Sequence, residues 1–531
     1  MSLARNVFVQ TSFTLGSRVL GFARDLALNS RFGGQGALMD CWATAQMLPN
    51  LFRRLFAEGA FAQAFVPVFA KARATEGAAS ADQMASQAMA FIMTVVILIC
   101  VGFEFAMPFL MPYLLSAYRD KPDVMSTAVL MAQLTMPYLA CMTLASLLSG
   151  VLNTMGRFAL SAGAPILLNL CTLVPLFFVP DRHLAAIIVA AAVTVSGILQ
   201  CSMLWWGARR LGVDLRVGLP VVTRTVRRML AIAVPGAIAG GALQVNTLVS
   251  QTLSGSDEGA RSVLYNSDRL YQLPLGLIGV AVGLALVPRL TRQFADNDRA
   301  GADRTMDDGI GLSMAFTLPA TVALLVMPFF IIDATVTRGQ FTSADAHRTA
   351  EVLREFAWGV PAFVLAKVFT PPFFAQQRTK QPMQYSLISV VVTIALGASL
   401  WFYLPTIHID GAIGLAIATS TSAWLNVFML AGTLAGEGSY KMGRAVWGRM
   451  TKLLIASAIM GGFIGYCAWQ YPLMSKIFWR KEVAVLAVAA GGVLVYGIAA
   501  LLLRAITLSE LKGALRREKG APGVPTGPDL G

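Results

Sequence analysis

Four arginines stand where a membrane-spanning helix would carry leucine or valine. Arg18 and Arg24 lie in SFTLGSRVLGFARDLALNS, and Arg53 and Arg54 in MDCWATAQMLPNLFRRLFAEGAFAQAFVPVFA. Both stretches are long and mostly apolar, yet they also hold Asp25, Asp40 and Glu58. An ionised side chain at bilayer depth costs about 2.5–3.5 kcal/mol on insertion scales. These charges therefore need partners, a watery cavity or an anionic ligand. Farther along, Tyr265, Asn266, Arg269 and Gln272 form a polar stripe at helical spacing, with Asp268 beside the arginine to offset its charge. Lys367 reads as a second buried cation in the same half of the chain.

Guanidinium groups suit phosphate, because their forked donors bind its oxygens two at a time with charge assistance. A cavity lined by Arg18, Arg24, Arg53 and Arg269 would offset the charge of a pyrophosphate crossing the membrane. A long apolar tail on such a ligand need not enter; it can stay in lipid between helices. The competing reading makes the arginines structural, locked to Asp25, Asp40, Glu58 and Asp268. Helical geometry sorts the candidates. Arg54 and Glu58, at i and i+4, are expected to pair, whereas Arg53 points about 100° away from Arg54. Arg18 and Arg24 are about 120° apart, so both reach one ligand only across a wide cavity or through a bend at Gly21. Arg18 and Asp25 share a face. Asn50 stands one turn before Arg53 and Arg54.

The composition fixes the class. The chain has 531 residues, 56% hydrophobic and 13% charged, against about 25% charged in soluble domains. This is expected to be an all-α polytopic membrane protein. The net charge of +14 reads as basic cytoplasmic loops rather than as a nucleic-acid surface. Six scattered cysteines without a CxxC support neither a disulfide framework nor a zinc site. His183, His347 and His408 fall in predicted connections, so a histidine-based active site is not expected. The amino-terminal apolar run is interrupted by arginine and closes on no small-x-small cleavage site, so it is expected to remain as the first span.

Apolar windows predict fourteen helices, at 7–28, 38–70, 84–115, 124–152, 158–180, 184–207, 227–253, 263–290, 309–336, 350–375, 383–404, 411–435, 448–470 and 482–505. A continuous helix over 38–70 would be about 50 Å long, more than a bilayer core, so Pro49 and Pro67 are expected to bend or break it. Lys and Arg concentrate in alternate connections, which places both termini in the cytoplasm. Leu48-Pro49 recurs as Leu273-Pro274, and Pro137 as Pro361, at a nearly constant offset of about 225 residues. Six helices lie between the copies, so the halves would insert in the same orientation as parallel repeats. The expected organisation is a six-helix bundle over 1–220, a second over 221–440, two further helices over 441–506 and a cytoplasmic tail over 507–531. No connection is long enough for a soluble catalytic domain, which favours transport over an enzyme.

At SRVLGFARD (17–25), LPNLFRRLFAEGAFAQAFVPVFA (48–70), YNSDRLYQLPLGLIGVAVG (265–283) and KVFTPPFFAQQRTKQP (367–382), the chain closely resembles the bacterial lipid II flippase family MurJ (MviN), within the wider MOP exporter superfamily. The resemblance implies fourteen helices in the bacterial inner membrane and a cationic central cavity. It implies export of undecaprenyl-pyrophosphoryl-disaccharide-pentapeptide by alternating access, for peptidoglycan synthesis, next to cell-wall synthesis machinery. It puts functional arginines on Arg18, Arg24, Arg53 and Arg269, further motif positions on Asp40, Asn50 and Glu58, and a lipid-tail groove on 448–505. Two positions depart from relatives: Gln272 replaces a glutamate, and Met47 a lysine. Gln272 cannot titrate as a gate. No cofactor is implied; some relatives bind sodium, and no matching set of oxygen ligands is evident here. The alternative is another cargo on the same fold, a polysaccharide-linked lipid or a cationic drug, and the latter calls for an acidic, aromatic cavity.

Overall fold

The computed structural model describes residues 3–56, 60–216, 218–223, 226–227, 229, 244–376, 378–470 and 480–506, with all side chains among these except those of 3–11, 54–56, 60–64, 276–285, 287 and 288. Among the described residues there are helices, turns and no strand. Lipid forces this choice, since each backbone N–H and C=O must be satisfied within its own segment. In order, the helices are α1 (Leu3–Phe32), α2 (Ala37–Phe56), α3 (Ala60–Thr75), α4 (Ala78–Leu114), α5 (Pro122–Thr135), α6 (Tyr138–Thr154), α7 (Phe158–Phe178) and α8 (Arg182–Arg210). The helical stretch 244–254 is α9. Then come α10 (Ala260–Ala295), α11 (Arg299–Val326), α12 (Pro328–Thr335), α13 (Ser343–Ala357), α14 (Val360–Phe369), α15 (Pro371–Ala375), α16 (Lys380–Tyr403), α17 (Gly411–Gly436), α18 (Arg444–Trp469) and α19 (Lys481–Leu502).

Nine stretches among the described residues are long and apolar enough to cross a membrane: α4, α5 with α6, α7, α8, α11, α16, α17, α18 and α19. The window expected at 7–28, the described parts of 38–70, and the windows at 263–290 and 350–375 are also largely helical but fall outside that set. The first three carry the arginines that lower their hydropathy. Most of the window at 227–253 lies outside the described residues, as does the tail 507–531. Residues 57–59, between α2 and α3, do too. His347 is not in a connection: it lies within α13, its ring 3.9 Å from that of Phe329 between centroids. His183 likewise falls in the first turn of α8.

Prolines subdivide the spans. Pro137 separates α5 from α6, Pro328 opens α12 directly after α11, and Pro361 sits in the first turn of α14. Each lacks an N–H for the preceding turn and disfavours helix just before it. Pro137 and Pro361, one of the two proline pairs of the sequence repeat, thus mark the joints α5/α6 and α13/α14, whereas Pro49 and Pro274 lie inside α2 and α10. The packing repeats as well. α2 lies on α5 as α10 lies on α13, and α6 and α7 lie on α8 as α14 and α16 lie on α17. One apolar core gathers α1 to α8, a second gathers α10, α11, α14 and α17 to α19, and a third lies around α10, α13 and the start of α17. Phe22 and Leu26 of α1 pack against the third core, and Tyr265 of α10 against the first.

The halves are tied at one end. The Asp40 carboxylate, 1% exposed on α2, accepts from Gly259 N (2.8 Å), Ser262 N (2.9 Å), Ser262 Oγ (2.6 Å) and Tyr118 Oη (2.9 Å). It supplies the acceptor that the N-terminus of α10 lacks, because the N-cap residue there is Gly259, at φ +78°. A Cβ at Gly259 would also lie 2.7 Å from Gln35 Cβ, so the close approach and the left-handed backbone both demand glycine. Around this seal, Ala117 N donates to Gly255 O at 3.0 Å, Gln340 N to Ser30 O at 2.8 Å, and Gly34 N to Asp345 Oδ2 at 3.3 Å. Arg348 of α13 bonds Asp257, Asp410, Glu258 O and the Gln35 side chain.

Within the first half, small residues set the helix spacing. A Cβ on Gly197 of α8 would meet Cys141 Cβ at 2.6 Å and Tyr138 Cδ2 at 2.7 Å on α6, whereas nothing lies within 4 Å at Gly102. Gly197→Leu should therefore lower the unfolding midpoint of the detergent-purified protein by the equivalent of about 1–3 kcal/mol. Gly102→Leu should leave it unchanged. Equal midpoints for the two variants would contradict the packing described.

Candidate functional site

Between the halves, below the seal, lies a cavity of about 350 Å³. Arg53, Asn50 and Gln46 of α2 face it, with Gln244, Asn246 and Gln251 of α9. Tyr265, Asp268, Arg269 and Gln272 of α10 supply another wall, and Phe356, Leu415 and Thr419 come from α13 and α17. Arg53, Arg269 and Asp268 are the charged residues among those lining it. Asp268 accepts a hydrogen bond from Gln272 one turn on, so its charge is partly engaged. Arg53 Nε donates to Asn50 Oδ1 at 3.3 Å. Arg269 Nη2 donates to Tyr265 Oη at 3.2 Å, and its guanidinium lies 5.0 Å from the centre of the Tyr265 ring. The side chain of Arg269 remains 45% exposed, which leaves its other donors available to a ligand.

Behind Arg269 stands a buried charge network. Arg24 donates from Nη2 (2.7 Å) and Nε (3.1 Å) to Asp25 Oδ1, and from Nη1 to Asn169 Oδ1 of α7 at 3.1 Å. Asp25 Oδ2 lies 3.7 Å from Arg269 Nε, and Tyr265 Oη lies 3.5 Å from Asp25 Oδ1. One carboxylate thus serves an arginine from each half. Asn29 and Asn266 exchange two amide hydrogen bonds, at 2.8 and 2.9 Å, and fix α1 against α10 one turn farther on. Buried charges persist where they are paired and hydrogen-bonded, and this network meets both conditions.

The structure brings together Arg53, Arg269, Asn50 and Gln272 at the cavity, with Arg24 and Asp25 directly behind. It does not bring Arg18 there. Arg18 is exposed, and α1 runs as one helix through Gly21, where Asn169 fills the space beside the missing side chain. Asp25 accordingly pairs with its neighbour Arg24 and not with Arg18. Asn266 faces α1 rather than the cavity. Lys367, expected as a buried cation, is exposed and outside the cavity lining, because helical spacing alone did not say which face of α14 packs inward. Asp40 holds no arginine but the N-terminus of α10. The side chains of Arg54 and Glu58, and their expected pairing, lie outside the described residues. Sequence reasoning missed Asn169, although an asparagine inside PILLNLCTL was a visible signal. It also missed Ser262, Tyr118 and Arg261, whose roles depend on contacts between distant helices.

A family model described as "Lipid II flippase MurJ" matches residues 29–478. A relative from Rhizobium tropici, "Probable lipid II flippase MurJ", is 35% identical, with 98% of each chain covered. A solved structure described as "Lipid II flippase MurJ, inward closed conformation" superposes with a TM-score of 0.75 at 22% identity, covering 94% of this chain and 99% of that one. An inward-facing multidrug resistance MATE family transporter of the MOP superfamily superposes with a TM-score of 0.65 at 13% identity, covering 81% and 98%. The fold is shared with both.

The buried pair gives a direct test of the network. Asp25→Asn strands Arg24 inside the protein and should destabilise it by about 3 kcal/mol, as breaking a buried pair does. Adding Arg24→Gln should recover most of that loss in a double-mutant cycle read by unfolding in detergent. Losses that simply add would contradict the pairing.

Proposed function

This chain belongs to the lipid II flippase MurJ family, and we propose that it carries undecaprenyl-pyrophosphoryl-disaccharide-pentapeptide from the cytoplasmic to the periplasmic leaflet of the bacterial inner membrane. As a member it is a multi-pass membrane transporter rather than an enzyme. The observation that supports this cargo is the cavity between the halves, where Arg53 and Arg269 are the cations among the lining residues, Asp268 is engaged by Gln272, and Asp25 behind them is shared with Arg24.

The proposed topology has fourteen spans with both termini in the cytoplasm, as two six-helix bundles over 1–220 and 221–440 and two additional helices. The end sealed by Asp40 then faces the periplasm, and the cavity loads from the cytoplasm. Pyrophosphate oxygens bind the guanidinium groups of Arg269 and Arg53 at the cavity wall, while the polyprenyl tail stays in lipid. The anion competes with Asp25 for Arg269, which loosens the link between α1 and α10. Asn50 positions Arg53, Asn266 holds α10 on α1, and Gln272 keeps Asp268 from repelling the phosphate. Arg18, on the exposed face of α1, attracts the head group at the entrance. Opening requires Asp40 to release the N-terminus of α10. The membrane potential, worth about 2.3 kcal/mol per charge per 100 mV, favours outward movement of the anion.

Cells depleted of their own flippase provide the test. Arg53→Ala and Arg269→Ala should express normally yet fail to restore externally accessible lipid II, and Arg24→Ala should fail as well, with expression lowered by the loss of its buried pair with Asp25. Each removes charge-assisted hydrogen bonds worth about 1.5–3 kcal/mol, or roughly tenfold or more in transport. Arg18→Ala should weaken rescue less. Full rescue by all of the first three variants would refute the anion site.

A further inference from the structure

One charged side chain is buried at the seam without a role in the mechanism above. Arg261, 0% exposed, lies in the first turn of α10, two residues past Gly259. Its Nη1 donates to Thr44 Oγ1 of α2 at 2.6 Å, and its Nη2 to the main-chain oxygen of Gln251. Its Nε has no hydrogen-bond partner among the described residues. No carboxylate bonds it there either. Asp40, on the same face of α2 as Thr44, receives its hydrogen bonds from Tyr118, Gly259 and Ser262 instead. Asp40 is the nearby opposite charge, but its oxygens are taken by these four other donors. The buried guanidinium is bonded only by a hydroxyl and a carbonyl, so an anion reaching it would gain a charge-assisted partner.

The position on α10 says which anion. Arg261, Tyr265 and Arg269 are spaced at i, i+4 and i+8, so they follow one face of the helix and rise about 12 Å from the cavity toward the seal. Gln251 and Leu264, which flank Arg261, belong to the cavity lining, so Arg261 stands just behind the cavity wall at its sealed end. We propose that Arg261 is an exit-side phosphate ligand. When the halves part at the seal, Thr44 leaves with α2, the guanidinium is uncovered, and the pyrophosphate passes from Arg269 to Arg261 on its way out. In the sealed state Thr44 and Gln251 O mask the donors, so the anion binds first at Arg269. The proposal rests on the flippase reading above and adds a second, later binding position for the same head group.

The test compares lipid II flipping in proteoliposomes by the wild type, Arg261→Gln, Arg261→Lys and Thr44→Ala. The expected result is a loss of about tenfold for Arg261→Gln, the size of one charge-assisted hydrogen bond, with Arg261→Lys retaining most of the rate. Thr44→Ala, which keeps the cation and removes only its mask, should flip at least as fast as wild type. If Arg261 is merely a strut of the seal, Thr44→Ala and Arg261→Gln will change the rate alike, and that overturns the proposal. A second measurement does not depend on replacing Arg261. Inorganic pyrophosphate added outside should slow labelling of Thr44→Cys by a membrane-impermeant thiol reagent, above the wild-type background; no protection overturns the proposal. A wild type that flips no lipid II would instead fail the underlying reading, and the relay with it.

Discussion

Asp25 receives two hydrogen bonds from Arg24 on its own helix and stands 3.7 Å from Arg269 on α10. The centre depends on that shared carboxylate. Two guanidinium groups from opposite halves cannot approach each other in a low-dielectric interior unless an anion stands between them. Asp25 fills that place in the present state. Under the proposed function, a phosphate entering the cavity would offer Arg269 the same geometry with more charge, which would couple ligand binding to the contact between α1 and α10 through one side chain. Asn169 and the Asn29–Asn266 amide pair keep the network aligned by holding α1 to α7 and to α10.

The seal uses the other resource that a helix offers, the unsatisfied N–H groups and partial positive charge of its N-terminus. Asp40 completes α10 from outside, so closure at this end is built from hydrogen bonds that water could replace once the halves separate. α10 therefore carries the mechanism along its length. Its N-terminus closes the molecule, and its middle supplies Arg269 to the cavity. Its apolar remainder packs on α11, α13 and α14. Movement of this one helix relative to α1 and α2 changes the seal and the anion site together.

Much of this was legible in the residues themselves. Charges within apolar runs marked α1, α2 and α10, and spacing set Arg53 apart from Arg54; Arg18, Arg24, Arg53 and Arg269 were all ligand candidates, and of these Arg53 and Arg269 line the cavity. Pro137 and Pro361, matched in the sequence by their offset, stand at the joints α5/α6 and α13/α14. Spacing failed where the answer lay in which face of a helix meets which neighbour. Gly21 read as a hinge, but it is a contact point for Asn169. Lys367 read as buried because it follows an apolar run, yet it projects outward from α14. The partner of Asp40 was beyond any local pattern, since it is the start of a helix more than 200 residues away in sequence. Arg261 was overlooked for the same reason, because its burial comes from Thr44 across the seam.

The proposed transport depends on the cavity's preference for a pyrophosphate. Its most direct test is calorimetric titration of the purified protein with a water-soluble short-chain prenyl pyrophosphate and with the matching prenyl alcohol. The pyrophosphate should bind and the alcohol should not. That binding should weaken with rising salt and disappear when Arg24 and Arg269 are both replaced by glutamine. Equal affinity for the two ligands, or wild-type affinity in the doubly substituted protein, would contradict it.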